Sequence, residues 1–278
     1  MRRSGFGMVI ASTKELIRSR DLIWNLTLRD LKGKYRKSFL GWTWSLINPL
    51  ALMGVYWFVF GYIFGSKAPV GDPSGVESFP LNLLCGLLPW GFFGLVTTLG
   101  LGSMVGNAGL IKKVAFSKQT LVVSQAVFSL VQHLIEMGLL MVVLLAFGSP
   151  LIPQLPVTVV LILLLGIFST GIAFALAMSA VYFRDLMYLW TIVLQMYFFA
   201  TPIIYDVSSI SGRVSQPIMK LLEWQPMAVF VSSFRSTLYS ARFPGWGQMA
   251  YLVAISAISF AIGLTIFTKL GRRVAEEI

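Results

Sequence analysis

Two ionisable side chains lie inside a long apolar stretch of this sequence, where charge is rare. His133 and Glu136 are three residues apart and would therefore share one face of a helix. Ionisable residues at membrane depth are costly to bury, which makes them candidates for function. One hypothesis is a proton-coupled carrier built on this pair. The alternative is a packed polar contact between helices, with Gln132 nearby.

Catalytic and metal-binding patterns are missing from the sequence. We find no Ser-His-Asp set, no metal-ligand spacing and no phosphate-binding GxxxxGK[ST] loop. We therefore expect that the chain is not an enzyme and holds no cofactor or metal of its own. If ATP drives its activity, a separate chain must bind and hydrolyse the nucleotide. The single cysteine, Cys85, allows no disulfide within the chain.

Aromatic side chains make up 14% of the residues and cluster within the apolar stretches. Met53, Tyr56 and Phe60 follow one another at helical spacing and share a face. Tyr197 and Phe198 lie equally deep in a later stretch. Rings that line a conduit suit sugars, because the C–H faces of sugars pack on aromatic surfaces. Contact with lipid or with neighbouring helices is the alternative for each ring.

The composition is that of an integral membrane protein. Of the 278 residues, 56% are hydrophobic and 12% are charged, with a mean hydropathy of +0.79. A soluble domain carries about 25% charged residues. In a topology with both termini inside, 17 of the 22 lysines and arginines lie on the cytoplasmic side and 5 lie outside, as the positive-inside rule requires. The net charge of +11 therefore reflects membrane orientation, and we expect no nucleic-acid partner.

The chain reads as one transmembrane domain, residues 1–278, with an all-α fold and both termini in the cytoplasm. Residues 14–37 predict an amphipathic helix in the cytoplasmic interface, either a basic anchor or a contact for a cytoplasmic partner. Residues 206–246 are too polar to span and predict short outer helices between the fifth and sixth spans. Apolar runs predict six spans at about 39–64, 81–102, 121–147, 157–183, 186–205 and 248–270.

Seven motifs, in order along residues 14–273, resemble the permease subunits of ABC exporters that move lipid-linked polysaccharides. The family includes wall teichoic acid, O-antigen and capsular polysaccharide permeases. The motifs are RDLKGKYRKSFLGWTWSLINPL at 29–50, VYWFVFG at 55–61, GLLPWGFF at 86–93, NAGLIKKVAF at 107–116, YFRD at 182–185, TPIIYD at 201–206 and QPMAVFVSSFR at 225–235. VYWFVFG is most similar to the teichoic acid branch, which favours that cargo.

The resemblance implies a homodimer of this subunit with two copies of a cytoplasmic ABC ATPase, which would bind ATP and Mg. Segment 107–116 resembles the family's coupling helix, which docks on the ATPase beside the interface helix at 14–37. Leu110, Ile111 and Phe116 can be buried there, while the lysines face acidic or phosphate-bearing groups. The residues implied in this contact are Asn107, Gly109, Leu110, Ile111, Lys112, Lys113, Phe116, Arg29 and Asp30.

The resemblance also implies a channel for the glycan. The first and fifth spans of the two protomers would line it, and gate helices within 207–240 would close its outer mouth. The candidate channel residues are Met53, Tyr56, Phe60, Tyr197, Phe198, Thr201 and Tyr205.

The expected function is ATP-driven export of a lipid-linked cell-envelope polysaccharide across the cytoplasmic (inner) membrane. Teichoic acid is favoured as cargo over an O-antigen or capsule-type chain. The expected partners are the ATPase, a second copy of this chain, the lipid-linked glycan and membrane lipids. An ABC exporter of a drug or small lipid is one alternative, and the proton-coupled carrier using His133 and Glu136 is another.

Overall fold

The computed structural model describes residues 15–34, 41–65, 69–114, 116–205 and 214–271. In these ranges every regular element is a helix and no strand occurs, so the all-α prediction is confirmed for this part of the chain. The chain ends, 1–14 and 272–278, lie outside the described residues. So do 35–40, which join the predicted interface helix to the first span, and 206–213 of the predicted outer region.

Within these ranges we number ten α-helices in chain order. They are α1 (Arg20–Lys34), α2 (Trp44–Tyr56), α3 (Phe79–Gly106), α4 (Ala108–Lys113), α5 (Gln119–Ala146), α6 (Leu155–Tyr182), α7 (Leu186–Ala200), α8 (Gln216–Trp224), α9 (Pro226–Phe234) and α10 (Trp246–Leu270). A helical turn at 15–18 precedes α1. Helix α2 continues as a π-helix, Trp57–Ile63, and α9 continues as a shorter one, Arg235–Tyr239.

Four helical segments are long and apolar enough to cross a membrane. They are Phe79–Gly106, Gln119–Ala146, Ile152–Tyr182 and Trp246–Leu270, which coincide with the second, third, fourth and sixth predicted spans. The first and fifth predicted spans correspond to shorter apolar helices, Ile47–Ile63 and Leu186–Ala200. The count of six spans and the cytoplasmic termini therefore stay predictions.

Several of these helices have a proline in their first turn. Its fixed φ and missing N–H are tolerated in the first turn, where the backbone N–H has no helical partner. The prolines in first turns are Pro80 in α3, Pro156 in α6, Pro217 in α8 and Pro226 in α9. Pro49 and Pro89 lie inside α2 and α3, and both helices continue through them.

The core of the bundle forms around α3, which packs against α5, α6 and α9. Its Phe92, Phe93, Val96 and Met104 side chains are buried. Helices α6 and α10 approach so closely that a Cβ at Gly263 would overlap the carbonyl of Gly171. Small residues allow such approach between apolar helices.

Helices α2 and α7 lie on the outside of the bundle. Helix α7 has no buried side chain, and among the described side chains of α2 only Pro49 is buried. Large apolar side chains on both helices are exposed, including Val55 in α2 and Met196 in α7. These faces therefore need lipid or another protein to cover them.

Candidate coupling site and channel wall

Helix α1 packs along α5 through a buried face formed by Leu26, Thr27 and Leu31. The Thr27 hydroxyl lies 2.9 Å from the carbonyl oxygen of Ile23 and 3.2 Å from that of Ser124 in α5. Since one of these contacts crosses between helices, α1 is fixed to α5 in the middle of its length.

The C-terminal end of α1 is also attached to α5. The Lys34 ammonium group donates a hydrogen bond to the side-chain oxygen of Gln132. It lies 5.6 Å from the centroid of the Phe128 ring, within the range of a cation–π contact. Helix α1 is therefore attached to α5 at two places.

Arg29 and Asp30 join α1 to the chain on both sides of α4. The Arg29 Nε lies 2.8 Å from Asp30 Oδ1, and its two terminal nitrogens each lie 3.4 Å from Asn107 Oδ1. Asp30 Oδ2 accepts a hydrogen bond of 2.6 Å from Gln125 Nε2 in α5. Asn107 in turn donates to the carbonyl of Ser103 at 2.8 Å. The structure thus brings together three predicted coupling residues: Arg29, Asp30 and Asn107.

The predicted docking residues on and beside the short helix α4 form two groups, one buried or half-buried and the other exposed. Ile111 is only 8% exposed and belongs to this chain's own core, against which Leu110 and Phe116 also pack, half-buried. Ile111 therefore anchors α4 to its own protomer and has almost no surface to offer a partner. The exposed positions are Gly109, Lys112, Lys113 and Val114.

Tyr56 and Phe198, from the two predicted channel helices, meet on one small apolar cluster. The cluster consists of Leu83, Ile203 and Val231, all buried, and both aromatic side chains pack against it. The first and fifth predicted spans are therefore neighbours of the same part of α3 and α9. Met53, one turn before Tyr56, is half-buried and packs against the main core.

Aromatic contacts extend this wall in both directions. Phe60 lies 6.0 Å from Tyr56 and 5.0 Å from Phe79, measured between ring centroids. The Trp90 ring lies 5.3 Å from Tyr197 and 5.6 Å from Phe198. The aromatic residues singled out in the sequence thus form a row of rings in two groups, with Trp90 as an additional member from α3. The two groups meet at the apolar cluster.

The C-terminal end of α7 is held by hydrogen bonds. Thr201 is buried, and its hydroxyl donates to the carbonyl of Tyr197 at 2.8 Å. The Tyr205 hydroxyl donates to the carbonyl of Phe199 at 3.1 Å. The Tyr197 hydroxyl accepts from the backbone N–H of Met227 at 3.4 Å, which ties α7 to α9. These contacts fix the upper part of the candidate channel wall.

Arg235 is a structural residue that the sequence analysis included only as the last residue of the motif at 225–235. Its guanidinium donates to the carbonyls of Asn82 at 3.3 Å and Pro202 at 3.0 Å, and also to that of Ile203. It therefore links α3 to the TPIIY segment from the end of α9. The sequence signal that could have indicated this role was a single arginine at the end of an apolar helical run.

His133 and Glu136 do lie on one side of α5. The His133 ring is 1% exposed and stacks on Phe92, with centroids 4.6 Å apart and an interplanar angle of 16°. Glu136 is half-buried and is hydrogen-bonded to Gln132, the residue that also accepts from Lys34. Glu136 thus takes part in a polar group that reaches the end of α1, whereas neither ring nitrogen of His133 has a hydrogen-bond partner among the described residues.

The comparison with known families covers most of these elements. A family model described as "ABC-2 type transporter" matches residues 21–239, which include α1, α4 and both candidate channel helices. The chain belongs to the ABC-2 type transporter family. With its four long apolar segments, this ABC-2 type transporter is a multi-pass membrane protein.

Relatives of this ABC-2 type transporter carry names from polysaccharide export. An "O-antigen export system permease protein RfbA" of Myxococcus xanthus is 30% identical over 97% of this chain and 100% of its own length. A Klebsiella pneumoniae protein of the same name is 27% identical over 92% of this chain and 94% of its own length. "Polysialic acid transport protein KpsM" of Escherichia coli is 23% identical over 96% of both chains. The resemblance to polysaccharide-export permeases is confirmed.

Proposed function

We propose that this chain is the permease subunit of an ATP-driven exporter of a lipid-linked cell-envelope polysaccharide. The observation that carries this proposal is the 30% identity with an O-antigen export permease over that protein's full length. The relatives' names refer to O-antigen and polysialic acid. The preference for teichoic acid drawn from VYWFVFG gains no support from these names. The proposal is therefore the broader polysaccharide class, with O-antigen as the first cargo to test.

The proposed complex contains two copies of this chain and two copies of a cytoplasmic ATPase that binds ATP and Mg. The exposed apolar faces of α2 and α7 support contact with a second copy, because such faces mark interaction sites. The exposed Lys112 and Lys113 on α4 support contact with an acidic groove on the ATPase. The positive-inside rule supports a cytoplasmic-membrane location with α1, α4 and both termini in the cytoplasm.

The proposed mechanism is conformational coupling between the ATPase and the channel wall. ATP binding and hydrolysis change how the ATPases sit against α4. The Asn107–Arg29–Asp30–Gln125 contacts pass that displacement to α1 and α5. Because an ATP-driven change can only shift a conformational equilibrium through differential contacts, these side chains must favour one state over the other.

The proposed glycan path follows the aromatic and polar side chains of the first and fifth predicted spans. Its residues are Met53, Tyr56, Phe60, Tyr197, Phe198 and Tyr205. Thr201, whose side chain is buried, supports the wall through its hydrogen bond to the Tyr197 carbonyl. Tyr56 and Phe198 support this path because they meet on the same apolar cluster. The lipid anchor would stay in the bilayer while the sugar units pass the rings.

Reconstitution tests the proposed function directly. Proteoliposomes containing this permease and its ATPase are given a lipid-linked O-polysaccharide on the ATPase side, and polymer that reaches the other side is measured with a glycan-specific antibody. We expect ATP-dependent transfer, which an ATPase variant that binds but does not hydrolyse ATP should not support. ATP-dependent transfer of a fluorescent drug or short lipid without any glycan transfer would contradict the proposal.

A further inference from the structure

A cavity of about 310 Å³ lies between α2, α3 and α5, separate from the surface of α4. Small-molecule pockets in proteins span about 300–1,000 Å³, so the cavity is large enough for a small ligand. Four leucines of α3 form part of its apolar wall. Its polar lining is formed by Asn48, Tyr56, Trp90, Ser129, Gln132, His133 and Glu136.

His133 is the most informative residue of this cavity. It is 1% exposed, and neither of its ring nitrogens has a hydrogen-bond partner among the described residues. A neutral imidazole offers one donor and one acceptor. A buried polar group without a partner costs about 1–3 kcal/mol. Because both nitrogens are buried in this conformation, a ligand hydroxyl would pair with one of them after a rotation of the ring, and that pairing would be stabilising.

The charge balance of the cavity favours an uncharged ligand. Glu136 lies one helical turn from His133 and is hydrogen-bonded to Gln132, while the Lys34 ammonium group donates to the same Gln132. The carboxylate therefore already has a cation nearby. It still has lone pairs that can accept hydrogen bonds from a hydroxyl group, because an ionised carboxylate accepts at two oxygens.

Aromatic surfaces complete the site. The Tyr56 and Trp90 rings line the cavity and also belong to the row of rings at the candidate channel wall. Such rings pack on the C–H face of a polyol while its hydroxyls reach polar groups. We propose that this cavity binds an uncharged vicinal diol, as presented by a sugar residue or by the glycerol head group of a membrane lipid. The sugar source rests on the proposed function, whereas the lipid source does not.

The single histidine of the chain gives a direct reporter. The full-length permease, purified without a histidine tag, is labelled with ¹⁵N-histidine and placed with unlabelled ATPase in phosphatidylethanolamine nanodiscs. NMR then follows the imidazole signals during titration with methyl α-glucoside, with 1,2-propanediol, or with phosphatidylglycerol in the discs. The matched control probe is 1-propanol, which has the same carbon skeleton and a single hydroxyl.

Two glycines of α3 give matched variants. A Cβ at Gly91 or at Gly94 meets no atom within 4 Å, but only Gly91 lines the cavity. Gly91→Leu should fill the cavity and weaken diol binding about tenfold or more, a loss of about 1.4 kcal/mol. Gly94→Leu should bind as the unaltered chain does.

We expect a saturable shift of the His133 signals with 1,2-propanediol and a much smaller one with 1-propanol. A shift with the glucoside identifies the sugar source, and a shift with phosphatidylglycerol identifies the lipid source. Equal shifts with 1-propanol, shifts that survive Gly91→Leu, or no saturable shift with any diol would overturn the proposal. Intact diol binding in a complex that fails to export glycan would count against the proposed function alone.

Discussion

At the residue scale, Arg29 is the side chain that connects three helical elements. It contacts Asp30 in α1 and Asn107 at the start of α4, while Asp30 is bonded to Gln125 in α5. The contacts of Arg29 are exposed to solvent, where such pairs contribute about 0.2–1 kcal/mol. We therefore expect the relative positions of α1, α4 and α5 to depend on this group.

The first prediction concerns that connection. Arg29→Ala should lower ATP-dependent glycan transfer by up to about fivefold, since the loss of exposed contacts worth about 0.2–1 kcal/mol corresponds to that range. Transfer per ATP hydrolysed is the measurement. Arg20→Ala is the matched control, because Arg20 is exposed on the same helix and pairs only locally with Asp21 at 3.7 Å. Equal transfer by the two variants would show that Arg29 carries no coupling.

Tyr239 fixes the loop of residues 69–78 against the end of α9. Its hydroxyl donates to the carbonyl of Pro69 at 2.7 Å and accepts from the N–H of Ser78 at 3.0 Å. Burial raises the pKa of the Tyr239 hydroxyl above its ordinary value. The proton is therefore retained up to the ordinary tyrosine pKa of about 10, and the stabilising contribution is lost only as the pH rises beyond it.

A second prediction follows for stability. Tyr239→Phe leaves the Pro69 carbonyl and the Ser78 N–H without this partner and should destabilise the protein by about 1–3 kcal/mol. The midpoint of thermal unfolding in detergent is the measurement. Tyr188→Phe, at an exposed ring of α7, should leave the midpoint unchanged. If both variants unfold at the same temperature as the original chain, Tyr239 does not hold the loop.

At the scale of elements, α4 presents a small cationic surface beside α1. Its apolar residue Ile111 is directed into the chain's own core, whereas Lys112 and Lys113 are exposed. Val114, the residue that directly follows α4, is 51% exposed and is a large apolar side chain that a partner could contact. This arrangement favours a contact governed by charge complementarity, with one apolar anchor.

The third prediction tests that surface. Charge reversal by Lys112→Glu together with Lys113→Glu should prevent co-purification of the ATPase, because like charges would face each other across the contact. Lys220→Glu, at an exposed position of α8, is the control and should leave the complex intact. An ATPase that co-purifies at full stoichiometry with the double variant would exclude α4 as the docking site.

The fourth prediction concerns the first apolar helix. Tyr56→Ala and Phe60→Ala should each lower glycan export without weakening assembly, since both rings belong to the candidate channel wall. Phe58→Ala is the control, because Phe58 is exposed on another side of the same helix and stacks on Tyr62. Export that is unchanged in both single variants and in the double variant would remove these rings from the glycan path.

At the scale of the whole molecule, the exposed apolar faces of α2 and α7 stand out against the packed centre formed by α3, α5 and α6. Exposed large side chains recur along α7, among them Tyr188, Ile192, Met196 and Phe199. A two-fold dimer brings the same surface of each copy together. The α7 face is therefore a candidate for the contact between protomers.

The fifth prediction tests this dimer by cross-linking. In a Cys85→Ala background, cysteines introduced singly at 188, 192, 196 and 199 should give covalent dimers at one or more positions. A disulfide requires Cβ atoms about 3.5–4.5 Å apart, so the strongest position marks the two-fold axis. Val160→Cys, exposed on α6, should give none. Dimers that form only at Val160 would place the interface elsewhere.

The amino-acid sequence alone determined that this chain is a helical membrane protein of a polysaccharide-export type. Within a membrane, the backbone groups of a long apolar run have no water to hydrogen-bond, so the run forms a helix. The second, third, fourth and sixth predicted spans match the structure for this reason. Ordered motifs such as NAGLIKKVAF and TPIIYD indicated the family, which the match over residues 21–239 confirms.

Only the tertiary structure decided which side chains meet. Arg29 and Asn107 are 78 residues apart, and no periodicity relates them. The sequence indicated that Ile111 can be buried but could not say whether it is buried in this chain or against a partner. The roles of Arg235 and the surroundings of His133 were equally hidden. Sequence periodicity specifies a face of a helix, whereas the partner of that face depends on how the helices pack together.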